Sequence, residues 1–411
     1  MKRILIIGAG RSTSHLIQYL GDLAEVKNWQ ITLADVNIDL ARSKVFNSYM
    51  HAIFLDITDI KNTEECVQDT DIVVSMLPAH MHIPIAKLCL KHRKNLVTAS
   101  YMSDEMKALN KEAQMKNLIF LNEIGVDPGL DHLSAMQAID EIRNNGGEIL
   151  DFESFTGGLV APGYDKNPWQ YKFTWNPRNV VLAGQGGAVK FIQEGQYKFI
   201  PYPKVFRRTE IIDVDGYGKF EGYANRDSLK YRETYGLEEV RTMFRGTLRR
   251  PGFCRAWNCF IELGATDDSY VLDCEDMTYR DYINTFLAYH PTDSIEIKLR
   301  QYLKIDQDDV DLWEKLVWLG LFETKKIGLK KATPAQILQK LLEDKWRLSP
   351  KDKDMLVMWH KIIYQKNNKK YIRELGMVCI GEDETYTAMS KTVGLPLAIA
   401  TKHILDGTFS Q

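Results

Sequence analysis

The junction at the start of the chain constrains its fold more than any other feature. Ile4-Leu5-Ile6-Ile7 is a short apolar run that breaks into Gly8-Ala9-Gly10, and a helix-like stretch follows from Ser12. A second apolar run, Ile31-Thr32-Leu33-Ala34, ends in Asp35. Strand, glycine turn, helix, strand and terminal acid together read as the first βαβ unit of a dinucleotide-binding domain. Gly8 permits the tight turn, and Gly10 lets the backbone approach a pyrophosphate. The helix N-terminus that follows offers N–H groups to phosphate. A carboxylate at Asp35 accepts hydrogen bonds from a ribose 2′-hydroxyl and repels a 2′-phosphate, so the expected cofactor is NAD rather than NADP. Thr13 stands where such motifs often place a third glycine.

With 411 residues, the chain is longer than one core usually serves, so two or three domains are expected. A formal net charge of −2 gives no reason to expect a nucleic-acid partner. The six cysteines are scattered without a Cys-x-x-Cys pair, as in a reducing, cytoplasmic setting rather than a disulfide framework. No apolar run is long enough to span a bilayer, and the N-terminus reads as a core strand, so neither a membrane partner nor a signal peptide is expected.

Strand patterns at 3–7, 30–34, 52–55, 72–76, 95–98 and 118–121 alternate with helical ones, including 83–92 and 103–114. That is a complete Rossmann-type doubly wound parallel sheet. Ligands of such sheets sit beyond the carboxyl ends of the strands. The rule selects Gly8, Gly10, Arg11, Ser12, Thr13 and Asp35. It also selects Asp56, Ile57, Ser75, Leu77, Pro78, Thr98, Ala99, Ser100 and Tyr101, and then 122–127.

Beyond Gly146 the texture changes to strand-like alternation with many aromatics, an open and largely antiparallel sheet. From about 278 to 373 the pattern turns helical, with Ser349-Pro350 reading as a helix start. A strand at 377–380 then returns to the second sheet. The expected division is a nucleotide domain over 1–130, with the helix at 388–411 packing back on it. An α/β substrate domain over 131–285 and 374–387 and a helical domain over 286–373 complete it.

Three clusters carry chemistry. The run from Asn122 to His132 is the densest polar segment of the first domain. Asp127 there is either a helix cap before Pro128 or a functional group at the ligand edge. Arg226, with Arg245, Arg249 and Arg250, supplies forks that suit carboxylates, unless these are solvated surface charges. Lys172 and Trp175 line a pocket or belong to an aromatic core. His80 and His82 form a His-x-His pair with no further ligand at a convincing spacing, so no metal is expected.

In this order, several segments resemble the glutamate-forming saccharopine dehydrogenases, also called saccharopine reductases, over nearly the whole chain. They are 97–101, 122–132, Gly157-Gly158-Leu159, 167–175, 225–228, 245–249 and 391–396. The resemblance implies oxidation of saccharopine to glutamate and 2-aminoadipate 6-semialdehyde, in lysine metabolism, and Asp35 makes NAD the expected oxidant. It also implies a three-part fold and a homodimer. Arg226, Thr247, Leu248 and Arg249 would hold a substrate with several carboxylates, with Ser100, Tyr101 and Asp127 on the opposite wall. Asp127, Lys172 or Tyr101 would move the proton, and Trp175 would join the cofactor site. Ala79, Val160, Gly163, Ala224 and Arg250 depart from the family pattern. Two other readings stay open: a carboxynorspermidine or homospermidine synthase, and a non-catalytic nucleotide-binding protein.

Overall fold

A computed structural model describes residues 1–185 and 187–409. The chain divides into two compact units, one of residues 1–138 with 379–411 and one of residues 139–378.

The first unit holds a six-stranded sheet. Its strands are β1 (Lys2–Ile7), β2 (Trp29–Asp35), β3 (Met50–Phe54), β4 (Ile72–Ser75), β5 (Asn95–Thr98) and β6 (Phe120–Leu121). The order is β3-β2-β1-β4-β5-β6 and every pairing is parallel. Ile4 to Ile7 and Ile72 to Val74 are at most 1% exposed. Such strands are covered on both faces and read as unbroken apolar runs. The reversal of strand order between β1 and β4 puts the ligand crevice at their carboxyl ends. Helix α1 (Ser14–Lys27) lies against the C-terminal helix Ala388–Leu405. Gly394 allows this approach, because a Cβ there would meet the Leu16 nitrogen at 2.8 Å. The helix read over 103–114 forms two short segments, Asp104–Ala108 and Asn110–Met115, that meet at Leu109.

The second unit is built on an eight-stranded mixed sheet. Its strands are β7 (Glu148–Val160), β8 (Val189–Gln193), β9 (Gln196–Ile200), β10 (Thr209–Val214), β11 (Gly218–Ala224) and β12 (Thr242–Arg249). After a two-residue ladder of β13 (Leu272–Asp273) with β14 (Lys331–Ala332), β15 (Asp354–Lys366) and β16 (Lys369–Ile380) complete it. The main order is β10-β11-β12-β7-β15-β16. β12 and β7 run parallel, while β10–β11, β11–β12, β8–β9 and β7–β15 are antiparallel.

The structure corrects the helical reading of 278–373. Helices Tyr279–Thr285, Ile295–Leu303, Val310–Trp318 and Pro334–Lys345 fill its first part, but from Asp354 the chain is strand. Asp354 through His360 are all buried, which hides the two-residue alternation. A strand buried on both faces cannot be told from a buried helix by periodicity. Ser349-Pro350 opens a turn rather than a helix. The Asp352 carboxylate accepts the Ser349 N–H (2.6 Å), and the Asp352 N–H donates to the Ser349 carbonyl (2.9 Å).

Candidate active site

At the first glycine turn, Gly8 has φ 107°, and a Cβ there would meet the Met76 carbonyl oxygen at 3.1 Å. A Cβ on Gly10 would meet nothing within 4 Å, so the turn is open on its outer side. No side chain caps the short helical turn Arg11–Thr13 that leads into α1. Asp35 accepts the Ala9 N–H on Oδ2 (2.6 Å) and the Asn37 N–H on Oδ1 (2.7 Å). Each carboxylate oxygen keeps a second lone pair. This cradle suits a dinucleotide: an open backbone turn beside a carboxylate at the end of β2.

Arg11 is exposed and Ser12 half-buried, but Thr13 points inward. Its hydroxyl donates to the Gly10 carbonyl (2.7 Å). Lys44 was not singled out by sequence. Its ammonium reaches the Gly10 carbonyl (2.8 Å) and the hydroxyls of Thr13 (3.0 Å) and Ser14 (3.1 Å). Burial pulls the Lys44 pKa down to about 8, against the opposing pull of Asp35. Asp56 closes a local turn by accepting the N–H (2.9 Å) and the hydroxyl (2.7 Å) of Thr58. Ile57, Leu77 and Ala99 are half-buried, and Pro78 is exposed.

At the ends of β4 and β5, Ser75 and Thr98 are buried. Their hydroxyls engage His82, the first residue of helix α2 (His82–His92), whose ring also reaches Ser100. The sequence marks His82 as part of a His-x-His pair at which no metal is expected, with no sign of these partners. Both its ring nitrogens are occupied by hydroxyl partners.

Past β5 and β6, two loops are tied together. The Tyr101 hydroxyl donates to Asp127 Oδ1 at 2.7 Å. Glu123 accepts the Met102 N–H on one oxygen (2.8 Å), and its other oxygen lies 3.0 Å from His132 Nε2. Glu123 adopts φ 56°, a left-handed conformation that a glutamate rarely takes. Asp127 sits on a turn closed by Gly125 N–H to the Pro128 carbonyl (2.9 Å), and helix α3 (Leu130–Asn144) begins three residues later. It is Asp131 that accepts the Gly129 N–H (2.7 Å).

In the second unit, Lys172 is paired with Asp352 at 2.5 Å. Burial pushes Asp352 up, yet the Lys172 ammonium and the Ser349 N–H hold it below the ordinary carboxylate value. Trp175 is half-buried against the core of this unit. Arg226 is exposed with φ 52°, at a corner whose carbonyl accepts the Lys190 N–H (3.0 Å). Such an outlier is a pointer to function. Thr247 is half-buried and Leu248 fully buried. Arg249 is 4% exposed. Its guanidinium lies 5.1 Å from the Tyr171 ring centre, 5.3 Å from Phe253 and 5.8 Å from Tyr223. Glu221 is its partner in the β11–β12 register and supplies a compensating charge. Arg250 covers the Phe220 ring at 4.4 Å and donates to the Tyr217 carbonyl (2.9 Å). Gly163, one of the departures, has φ 89°, so conformation favours glycine there.

Residues 4–121 match the family profile described as "Saccharopine dehydrogenase NADP binding domain". Residues 125–411 match "Saccharopine dehydrogenase C-terminal domain". Saccharopine dehydrogenase [NADP(+), L-glutamate-forming] of Schizosaccharomyces pombe is 31% identical, over 100% of this chain and 92% of that protein. The mitochondrial alpha-aminoadipic semialdehyde synthase of Mus musculus is 31% identical, over 99% of this chain and 44% of that protein. The apo saccharopine dehydrogenase (L-Glu forming) structure from Saccharomyces cerevisiae superposes with a TM-score of 0.87 at 30% identity. That match covers 100% of this chain and 93% of the yeast one. A homospermidine synthase from Legionella pneumophila, at 10% identity and a TM-score of 0.55, shares the fold. On residues, topology and full-length similarity, this chain belongs to the saccharopine dehydrogenase family of oxidoreductases.

Proposed function

We propose that the chain oxidises saccharopine, with NAD and water, to glutamate and 2-aminoadipate 6-semialdehyde in lysine metabolism. The observation that carries the chemistry is the 2.7 Å bond from the Tyr101 hydroxyl to Asp127, on loops at the ligand edge of the first sheet. Bound NAD supplies the hydride acceptor. The secondary amine must be neutral before hydride leaves its carbon, so a base is needed. Asp127 takes that proton directly or through water, and Tyr101 holds the carboxylate in place by its hydrogen bond. Once that proton has passed on to solvent, the regained Asp127 charge stabilises the positive imine that forms on the substrate. Asp127 also orients the water that attacks the imine carbon. In the second unit, Arg226 is the group offered to a substrate carboxylate, and Thr247, Leu248 and Arg249 are the other substrate residues that the family resemblance implies there.

The preference for NAD rests on Asp35. The relatives are named as NADP enzymes, so cofactor choice is the point at which this chain would differ from them. The test is absorbance of the reduced cofactor with NAD or NADP, and with saccharopine or carboxynorspermidine as substrate. Turnover of the polyamine conjugate alone would overturn the reaction; higher kcat/KM with NADP would overturn the cofactor.

A further inference from the structure

His82 is used by no step above, yet it is the centre of a buried polar network in the first unit. It opens helix α2 and is 3% exposed. Its Nδ1 lies 2.8 Å from the Ser75 hydroxyl at the end of β4. Its Nε2 lies 2.7 Å from the Ser100 hydroxyl and 3.2 Å from that of Thr98 at the end of β5. The Ser100 N–H also donates to the Thr98 hydroxyl, at 3.3 Å. Two strands and a helix therefore converge on one ring, and partners on both nitrogens fix its rotation.

The three hydroxyls are not equivalent. Ser75 is 0% and Thr98 1% exposed, so neither can meet a ligand through its side chain. Ser100 is half-buried, two residues past β5 and next to Tyr101. It alone carries the network outward. We propose that His82 is the positioning residue for Ser100. In its Nε2–H tautomer the ring donates to Ser100 Oγ. The Ser100 hydrogen is then left to donate outward, the polarity that a substrate carboxylate requires. Burial, with His80 as a lesser contributor, pulls the His82 pKa down to about 4. A ring that is neutral at pH 7 has one donor and one acceptor, which is what this division of roles uses. A histidine that merely filled the core would not need a specific tautomer, nor would its loss act through Ser100.

The identity of the ligand rests on the proposed function; the tautomer does not. Nitrogen-15 spectra of the histidine-labelled enzyme at pH 7 should show His82 neutral with hydrogen on Nε2. An Nδ1–H tautomer or an imidazolium overturns the proposal, whatever the substrate proves to be. The kinetic arm is a double-mutant cycle. Ser100→Ala should raise the KM for saccharopine roughly 10–100-fold, the range for one hydrogen bond to a charged group. The KM for the cofactor should stay within about 3-fold. His82→Leu should produce the same pattern alone and add nothing in the Ser100→Ala background. His82→Gln, which keeps a donor near the Nε2 position, should recover part of the loss. It also serves where the leucine variant melts too early to assay. Independent, additive effects, or an unchanged KM in Ser100→Ala, overturn the positioning role. A wild-type enzyme without saccharopine turnover would instead sink the substrate assignment and leave the tautomer result standing.

Discussion

The two units handle polar groups in opposite ways. In the first, Ser100, Tyr101 and Asp127 sit half-buried on loops just past strand ends and are joined by neutral or singly charged bonds, Tyr101 to Asp127 and Ser100 to the buried His82. In the second, Arg249 lies inside the β12 register, among aromatic rings, with Glu221 opposite. A charge at a strand end keeps access to water and is available for chemistry. A charge within a strand register pays its desolvation inside the core and becomes part of what holds the core together. The same residue types thus differ in role by position along a strand.

The largest effect should come from Asp127→Asn. If Asp127 transfers a proton, turnover falls about 10²–10⁴-fold with folding nearly intact. If it only braces its turn, stability drops by about 1 kcal/mol or less and turnover survives. Steady-state rates and thermal melting of this one variant decide between them.

Next comes a pair of arginine variants. Arg249→Ala empties a buried site packed against Tyr171, Phe253 and Tyr223, and a large-to-small change of that kind costs about 2–5 kcal/mol. Denaturant unfolding should show this loss directly. Arg226→Ala, at an exposed corner, should leave stability within about 0.5 kcal/mol while saccharopine turnover falls. Equal stability in both variants would erase the contrast between the units.

The first sheet was legible because parallel strands buried on both faces, each followed by a glycine or polar turn, have few other readings. The edge rule then named Ser75, Thr98, Ser100, Tyr101 and Asp127 without any contact map. It could not say which of these point inward, since alternation fails where both faces are buried. Lys44 was invisible because its partners are a carbonyl and two hydroxyls far away in sequence. The role of His82 was illegible because spacing to His80 says nothing of Ser75 or Ser100. In the second unit, Met355 to Trp359 gave a solid apolar run that masked a strand. The burial of Arg249 depends on its register with β11, which composition does not encode.

The third effect is on pH dependence. His82 drops from 6.5 to about 4 in the fold, mainly by burial. The unfolded chain therefore binds the extra proton first. Stability from this group is fully present above about pH 6.5 and is lost as pH falls towards 4. At about 1.4 kcal/mol for each pH unit, the loss is about 3 kcal/mol. Denaturant melts of the wild type and His82→Gln across that window should diverge by this amount, with the wild type falling faster. Parallel curves would mean that His82 ionises as easily folded as unfolded.

The smallest effect concerns the first unit alone. Asp35 is both a structural acceptor, of the Ala9 and Asn37 N–H groups, and the proposed reader of the ribose. The two roles separate in Asp35→Ala. Loss of the structural bonds alone loosens the glycine turn and weakens NAD and NADP by the same factor. Loss of a ribose contact weakens NAD by roughly 10-fold, while NADP gains, because the repulsion of its 2′-phosphate is removed. Lys44 bears on the same outcome, since its ammonium already contacts the Gly10 carbonyl on the same turn. With Asp35 gone, that positive charge loses its nearby carboxylate and the turn becomes more attractive to a phosphate. The ratio of kcat/KM for the two cofactors should therefore shift towards NADP, and the shift should shrink in high salt, which screens charge. An unchanged ratio would leave Asp35 as a brace for the turn and return the choice of cofactor to other residues.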